Sequence, residues 1–218
     1  MRFSFAVSIA LAVHIVSAHY IFKPLVAGHK ISTRAVRQPK DNSPVLEYAS
    51  GTDIICNSHP SAARETVQIA AGNKIGFRLD IPIYHMGPAA IYLGHAPRKV
   101  ADWDGRGRRW FKIAEWGATF DPFSFTSLNR KVLTTFVPRT TPSGEYLVRV
   151  EHIGLHQPGA PEIFISCAQI RIVNGGSGDP PKVSIPGYIP LGDHSVNLDI
   201  YWPIPTNYSV PGPAVWKG

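Results

Sequence analysis

Residues 144–168 read GEYLVRVEHIGLHQPGAPEIFISCA. Gly144-Glu145 opens a strand that sets Tyr146, Val148 and Val150 on one face. His152 continues that apolar register and reads as a core histidine rather than a ligand. Beyond the QPGAP loop, Ile163, Ile165 and Cys167 alternate with Phe164, Ser166 and Ala168 in a second strand. Side chains at period two point to opposite faces, and this pattern bounded by Gly and Pro predicts β structure. Upstream, Val67, Ile69 and Ala71 alternate before Gly72-Asn73, and Ile75, Phe77, Leu79 and Ile81 alternate after it. That reads as a hairpin with one face in a core.

Twenty prolines and nineteen glycines divide the rest into short pieces. No stretch holds a helical period. The predicted fold is all-β: an antiparallel, immunoglobulin-like or fibronectin-like β-sandwich with long loops. There is no internal repeat. Asn174–Pro181 (NGGSGDPP) is a loop, and too few residues follow it to form a second domain. The Pro- and aromatic-rich stretch from Ile185 to Trp216 is expected to wrap over the sandwich.

Met1-Arg2-Phe3 is followed by an apolar run and by Val16-Ser17-Ala18. These are the charged, apolar and small-residue parts of a secretory signal peptide. The run is too short for a membrane span and is broken by His14. Ala10-Leu11-Ala12 fits the cleavage pattern better. Cleavage after Ala18 keeps a longer apolar region and exposes His19, and is preferred for that reason. Residues 1–18 are then the leader and residues 19–218 one secreted domain, expected to be a monomer. In a secreted chain the two cysteines, Cys56 and Cys167, are expected to pair. Asn207-Tyr208-Ser209 is a glycosylation sequon.

The formal charge is +7. Arg106, Arg108 and Arg109 form one short cluster, read as a solvated loop. The remaining basic residues are scattered, so no nucleic-acid partner is expected, and no second apolar segment suggests a membrane.

There are nine histidines, and His14 falls in the leader. A histidine in first place differs in kind from an internal one, because its α-amine and ring nitrogen can chelate one ion together. A second imidazole completes a nitrogen set that suits Cu(II). His85 lies in Tyr84-His85-Met86-Gly87-Pro88 after a strand. His156 follows another strand and is placed to line a site. His29, His59, His95 and His194 lie in polar loops and read as surface residues.

These residues resemble the fungal cellulose-active lytic polysaccharide monooxygenases, once classed as glycoside hydrolases. The likeness runs along residues 19–218. It rests on His19, on Asp53–Asn57 (DIICN) and on His85–Pro88 (HMGP). It continues through Trp103-Asp104-Gly105, Trp110–Ile113 (WFKI) and Gly144–Arg149 with His152–His156. It closes on Ile165–Gln169 (ISCAQ) and Tyr208–Pro213 (YSVPGP). The resemblance implies one copper ion held by the amine and ring of His19 and the ring of His85. It implies oxidation of a polysaccharide, cellulose or hemicellulose, at C1 or C4 of a sugar, with O2 or H2O2 as co-substrate and an external electron donor. His156 matches a histidine beside the oxygen site. Tyr208 matches an aromatic that packs against sugar rings, although a loop tyrosine covering the core fits the same position.

The chain departs from the family where Gln-x-Tyr is usual. Here Glu162-Ile163-Phe164 stands. By that resemblance Phe164 would leave the axial position without a phenol, and Glu162 would place negative charge near the metal, stabilising Cu(II) and lowering the reduction potential. Tyr20–Ser43 is also short and basic, which suggests an acidic hemicellulose or another cell-wall polymer. Two other functions stay open: a copper-binding protein without catalysis, and a carbohydrate-binding sandwich without metal. No paired carboxylates point to a hydrolase.

Overall fold

The computed structural model describes residues 19–218. The predicted leader lies outside the described residues. Two sheets face each other. The smaller has the order β10-β5-β1-β2, with β1 Phe22–Ala27, β2 Lys30–Ser32, β5 Lys74–Leu79 and β10 Val132–Phe136. The larger runs β13-β7-β6-β11-β12-β3, from β13 Val183–Ser184 through β7 Arg108–Trp116, β6 Ala89–His95, β11 Gly144–Gly154 and β12 Glu162–Val173 to β3 Val36–Arg37. A further strand, β4 Val67–Ala70, pairs parallel to β12. A small hairpin joins β8 Ala118–Phe120 to β9 Phe123–Phe125. Among the described residues, helix is limited to α1 Asp53–Cys56, α2 His194–Asn197 and one 3-10 turn at Val100–Asp102. The all-β sandwich read from the sequence is the fold observed.

The core between the sheets takes Phe22, Leu25, Ile75, Phe77 and Leu133 from one side, and Ile91, Leu93, Val148, Val150 and Ile170 from the other. The larger sheet is also covered on its outer face. Leu147, Ile163, Ile165 and Cys167 pack there with Ile54, Ile55, Ile185, Tyr188, Ile189 and Ile200. The stretch from Ile185 onward therefore does wrap the sandwich. Burial on both faces is why β11 and β12 read as almost continuous apolar runs.

The expected hairpin at residues 67–81 is corrected. The turn exists, with the Asn73 amide donating to Ala70 O at 3.1 Å. But β4 joins β12 in the larger sheet, while β5 pairs with β1 and β10 in the smaller. The chain arches across the sandwich. Val67, Ile69, Ile75 and Phe77 all reach the same core. Alternation fixed which face is buried, and an arch satisfies that as well as a hairpin does.

Cys56 and Cys167 form a disulfide with a sequence separation of 111, tying α1 to the centre of β12. A closed loop of that order restricts the unfolded chain by roughly 4–5 kcal/mol in the chain-entropy picture. Cys56→Ala/Cys167→Ala should lower the unfolding free energy by several kcal/mol, read as a shifted urea midpoint. An unshifted midpoint would show that α1 is held by its other contacts alone.

Candidate metal centre

Four elements bring the candidate residues together. His19 lies just ahead of β1, and its carbonyl accepts a 2.7 Å bond from the Asn42 side-chain amide. The next residue anchors it: Tyr20 is buried in the core, and its hydroxyl is hydrogen-bonded to His152 Nδ1 at 2.6 Å. His85 sits on the loop between β5 and β6. That loop closes on the end of β11, where the Leu155 amide donates to Met86 O at 2.8 Å and the Ile153 amide to Pro88 O at 2.9 Å. Gly87 makes the approach possible, since a Cβ there would lie 1.7 Å from Ile153 O. His156 follows β11 by two residues, and its ring stacks on His85 with centroids 3.7 Å apart and planes 10° apart. Glu162 begins β12 directly opposite Gly154.

One carboxylate oxygen is the centre of this arrangement. Glu162 Oε2 lies 3.5 Å from His19 Nε2, 3.8 Å from His85 Nε2 and 3.7 Å from His156 Nε2. Among the described residues, His19, His85 and Glu162 bring three ligand atoms within 4.8 Å of one another. His85 Nε2 and Glu162 Oε2 are both buried, and neither has a hydrogen-bond partner. Buried polar atoms are rarely left unsatisfied. Two such atoms, 3.8 Å apart and so too far apart to bond, fit residues that share an ion. The set of imidazole nitrogens and one carboxylate suits a divalent transition metal. His85 is further prepared by its surroundings. Burial, then the neighbouring His156 and His19, push its pKa down to about 4, so its ring is neutral with a lone pair free near pH 7.

Phe164 shares Glu162's face of β12 and closes the floor. It is buried, 5.4 Å from the His19 ring and 4.5 Å from Tyr20. Tyr208 is half-buried. Its hydroxyl donates to Ser195 O at 2.9 Å, and its ring meets Phe125 edge-on at 5.2 Å. Its hydroxyl end is therefore anchored in the outer core. The exposed aromatics near the site are Tyr201 and Trp202, 53 % and 80 % exposed, and the Tyr201 hydroxyl donates to His156 O at 3.3 Å. Sequence reading passed over them, although the aromatic pair before Pro203 was a signal. Asn207 is exposed on the same loop.

The other histidines divide. His29, His59 and His194 are exposed. His95 is corrected: it ends β6, is half-buried, and stacks on Tyr146 at 4.5 Å. Lys30 is held by Glu65, and Arg37 by Val100 O at 2.7 Å, so two of the basic groups in Tyr20–Ser43 are engaged within the fold.

His152 is the core histidine expected. Burial, then the nearby His85, lowers its pKa to about 3 from 6.5. Below pH 6.5 the unfolded chain takes a proton that the folded one refuses until about pH 3, so stability falls with pH through that window. At pH 4.5 the loss from this group is about 2–3 kcal/mol. Urea unfolding of metal-free protein at pH 7 and 4.5 should show it. His152→Gln, which keeps an acceptor for Tyr20, should remove that component. An identical pH profile in the variant would contradict the assignment.

Residues 17–208 match the family described as Auxiliary Activity family 9 (formerly GH61). The chain is 41 % identical over 216 residues to AA9 family lytic polysaccharide monooxygenase H of Malbranchea cinnamomea, covering 93 % of this chain and 94 % of that one. It is 40 % identical over 216 residues to AA9 family lytic polysaccharide monooxygenase C of Emericella nidulans, covering 93 % of each. Among solved structures it resembles a cellulose-active polysaccharide monooxygenase from M. thermophila, with a TM-score of 0.80, 28 % identity, and coverage of 92 % of this chain and 100 % of that one.

Proposed function

Since the chain belongs to Auxiliary Activity family 9, we propose that it is a secreted lytic polysaccharide monooxygenase that oxidises cellulose or a related cell-wall polysaccharide at one copper ion. The ion would be held by the α-amine and ring of His19 and the ring of His85, the amine being freed by removal of residues 1–18. The observation that carries this reading is the convergence of His19, His85 and Glu162, with buried atoms left unpartnered at its centre.

Copper, when bound, supplies the one-electron redox chemistry and activates the O2 or H2O2 co-substrate, with electrons from an external donor. The chain's own residues do the rest. His85 presents a neutral ring without first having to lose a proton. Phe164 excludes water from the floor and offers no oxygen ligand. His156, stacked on His85, holds a ring nitrogen where it can donate a hydrogen bond to an oxygen co-substrate. Glu162 contributes negative charge, which favours the more highly charged metal state. Tyr201 and Trp202 form an exposed aromatic edge beside His156, suited to stacking on sugar rings. Tyr208, its hydroxyl anchored on Ser195 O, is the further aromatic that the family motif assigns to packing against sugar rings.

Trp202→Ala should weaken retention on insoluble cellulose roughly tenfold, the ~1–2 kcal/mol expected of one aromatic face. Unchanged retention would remove Trp202 from the binding face. The function is tested by incubating the copper-loaded chain beginning at His19 with a reductant and a panel of glucans and xylans. Sugars oxidised at C1 or C4 are expected by mass spectrometry. Tight copper binding without oxidised products would favour the second reading, a copper-binding protein without cleavage, which Glu162 and Phe164 keep open. No tight copper binding would favour a carbohydrate-binding sandwich.

A further inference from the structure

We infer that Glu162 is itself a metal ligand, and that with His19 and His85 it makes a three-side-chain site that does not require the α-amine. The inference rests on the metal-centre reading above, but needs neither a free amine nor sugar oxidation.

The argument is one of spacing. Two ligand atoms each roughly 2.1 Å from one tetrahedral ion stand about 3.4 Å apart. The Glu162 oxygen stands 3.5 Å from His19 Nε2 and 3.8 Å from His85 Nε2. Those separations are beyond a hydrogen bond and near what a shared ion sets. The nitrogens involved are both Nε2, the ring atoms farthest from the backbone. Acylation of the His19 amine leaves Nε2 untouched. While His19 is still joined to Ala18, its nitrogen is an amide and cannot chelate, yet these three atoms can.

The site is also held in shape by the fold. Glu162 is fixed opposite Gly154 by the β11–β12 register. His85 is fixed by the close approach at Gly87 and by its stack on His156. His19 is fixed through Tyr20, whose hydroxyl is bonded to His152. A carboxylate offsets one charge of a divalent ion, which a glutamine at this position would not do. Two imidazoles and a carboxylate suit Zn(II) and Co(II) as well as Cu(II). The chain can therefore take up a divalent ion before its leader is removed, and holds it by a different donor set afterwards.

The test uses a chain that keeps Ile15–Ala18 ahead of His19, titrated with Zn(II) by calorimetry and with Co(II) by visible absorption. One ion per chain is expected, with the intense bands of tetrahedral Co(II). Glu162→Gln should weaken Zn(II) binding at least tenfold, and Glu162→Ala should do the same, with urea midpoints of the metal-free proteins unchanged. Failure of the extended chain to bind either ion would overturn the inference, as would equal affinity in the glutamine variant. Copper titration and product analysis of the chain beginning at His19, run alongside, report the monooxygenase reading separately. Absence of oxidised sugars would sink that reading and leave the Glu162 measurement standing.

Discussion

His85→Ala in the chain beginning at His19 is expected to abolish tight copper binding and all oxidised sugar products. The loss in affinity should exceed the roughly 10–100-fold that removing a supporting partner costs, because a ligand itself is removed. Three features of His85 argue for so large an effect. Its Nε2 is buried and has no other partner. Its ring is held neutral by burial, so proton competition is slight. And its position is built in by the Gly87 contact with Ile153, so no rearrangement of the loop brings another donor to the same point. His156 Nε2 also stands 3.7 Å from Glu162 Oε2, so the double variant His85→Ala/His156→Ala checks that His156 does not stand in for the lost ring. Equilibrium dialysis against copper measures the effect. Retention of affinity within tenfold would mean that the ion sits elsewhere.

Arg149→Met is expected to destabilise the protein by about 3–5 kcal/mol, by leaving a buried carboxylate without its charged partner and with only the Tyr188 hydroxyl donating to it. Arg149 is 0 % and Glu151 1 % exposed, and the guanidinium donates to Glu151 Oε2 at 2.6 Å. Burial opposes the charge on Arg149, but Glu151 together with Tyr188 and Tyr92 outweighs it and keeps the guanidinium protonated. The same group donates to Ile54 O at 2.8 Å and Ile55 O at 2.9 Å. These are carbonyls at the end of one-turn α1, which has too few residues to satisfy them itself. Its face is sandwiched near the rings of Tyr92 and Tyr188, at 5.4 and 5.3 Å. Arg149 therefore replaces the hydrogen bonds that α1 and the outer core lack, and through α1 it supports the Cys56 disulfide. The double variant Arg149→Met/Glu151→Leu should be less destabilised than the single one, since it removes both charges. Denaturant unfolding of the three proteins checks the order. A single variant as stable as the parent would show that the pair contributes nothing net.

The contrast between what the sequence shows and what it conceals has a physical pattern. β11 and β12 are legible because each is a long, almost continuous apolar run and the turn between them is rich in Pro and Gly. The partners of β4 and β5 are not, because one buried face is compatible with either sheet. His19 and His85 are legible once a leader and a family likeness are seen together. What remains hidden is their distance. It depends on Gly87 admitting Ile153 O and on β11–β12 pairing that puts Glu162 against Gly154. No residue type announces either one. His95 was misplaced because its neighbours Ala96-Pro97 read as a loop, while its ring is captured by Tyr146 one strand away. Tyr208 is marked by its motif, while the bond from its hydroxyl to Ser195 O is visible only in the fold.

Two copper titrations bear most directly on the centre: one on the chain beginning at His19, one on the chain that keeps Ile15–Ala18. The account predicts one Cu(II) per chain in both, bound orders of magnitude more tightly when the amine of His19 is free. Equal affinities would mean that the amine takes no part, and the copper brace would have to be abandoned.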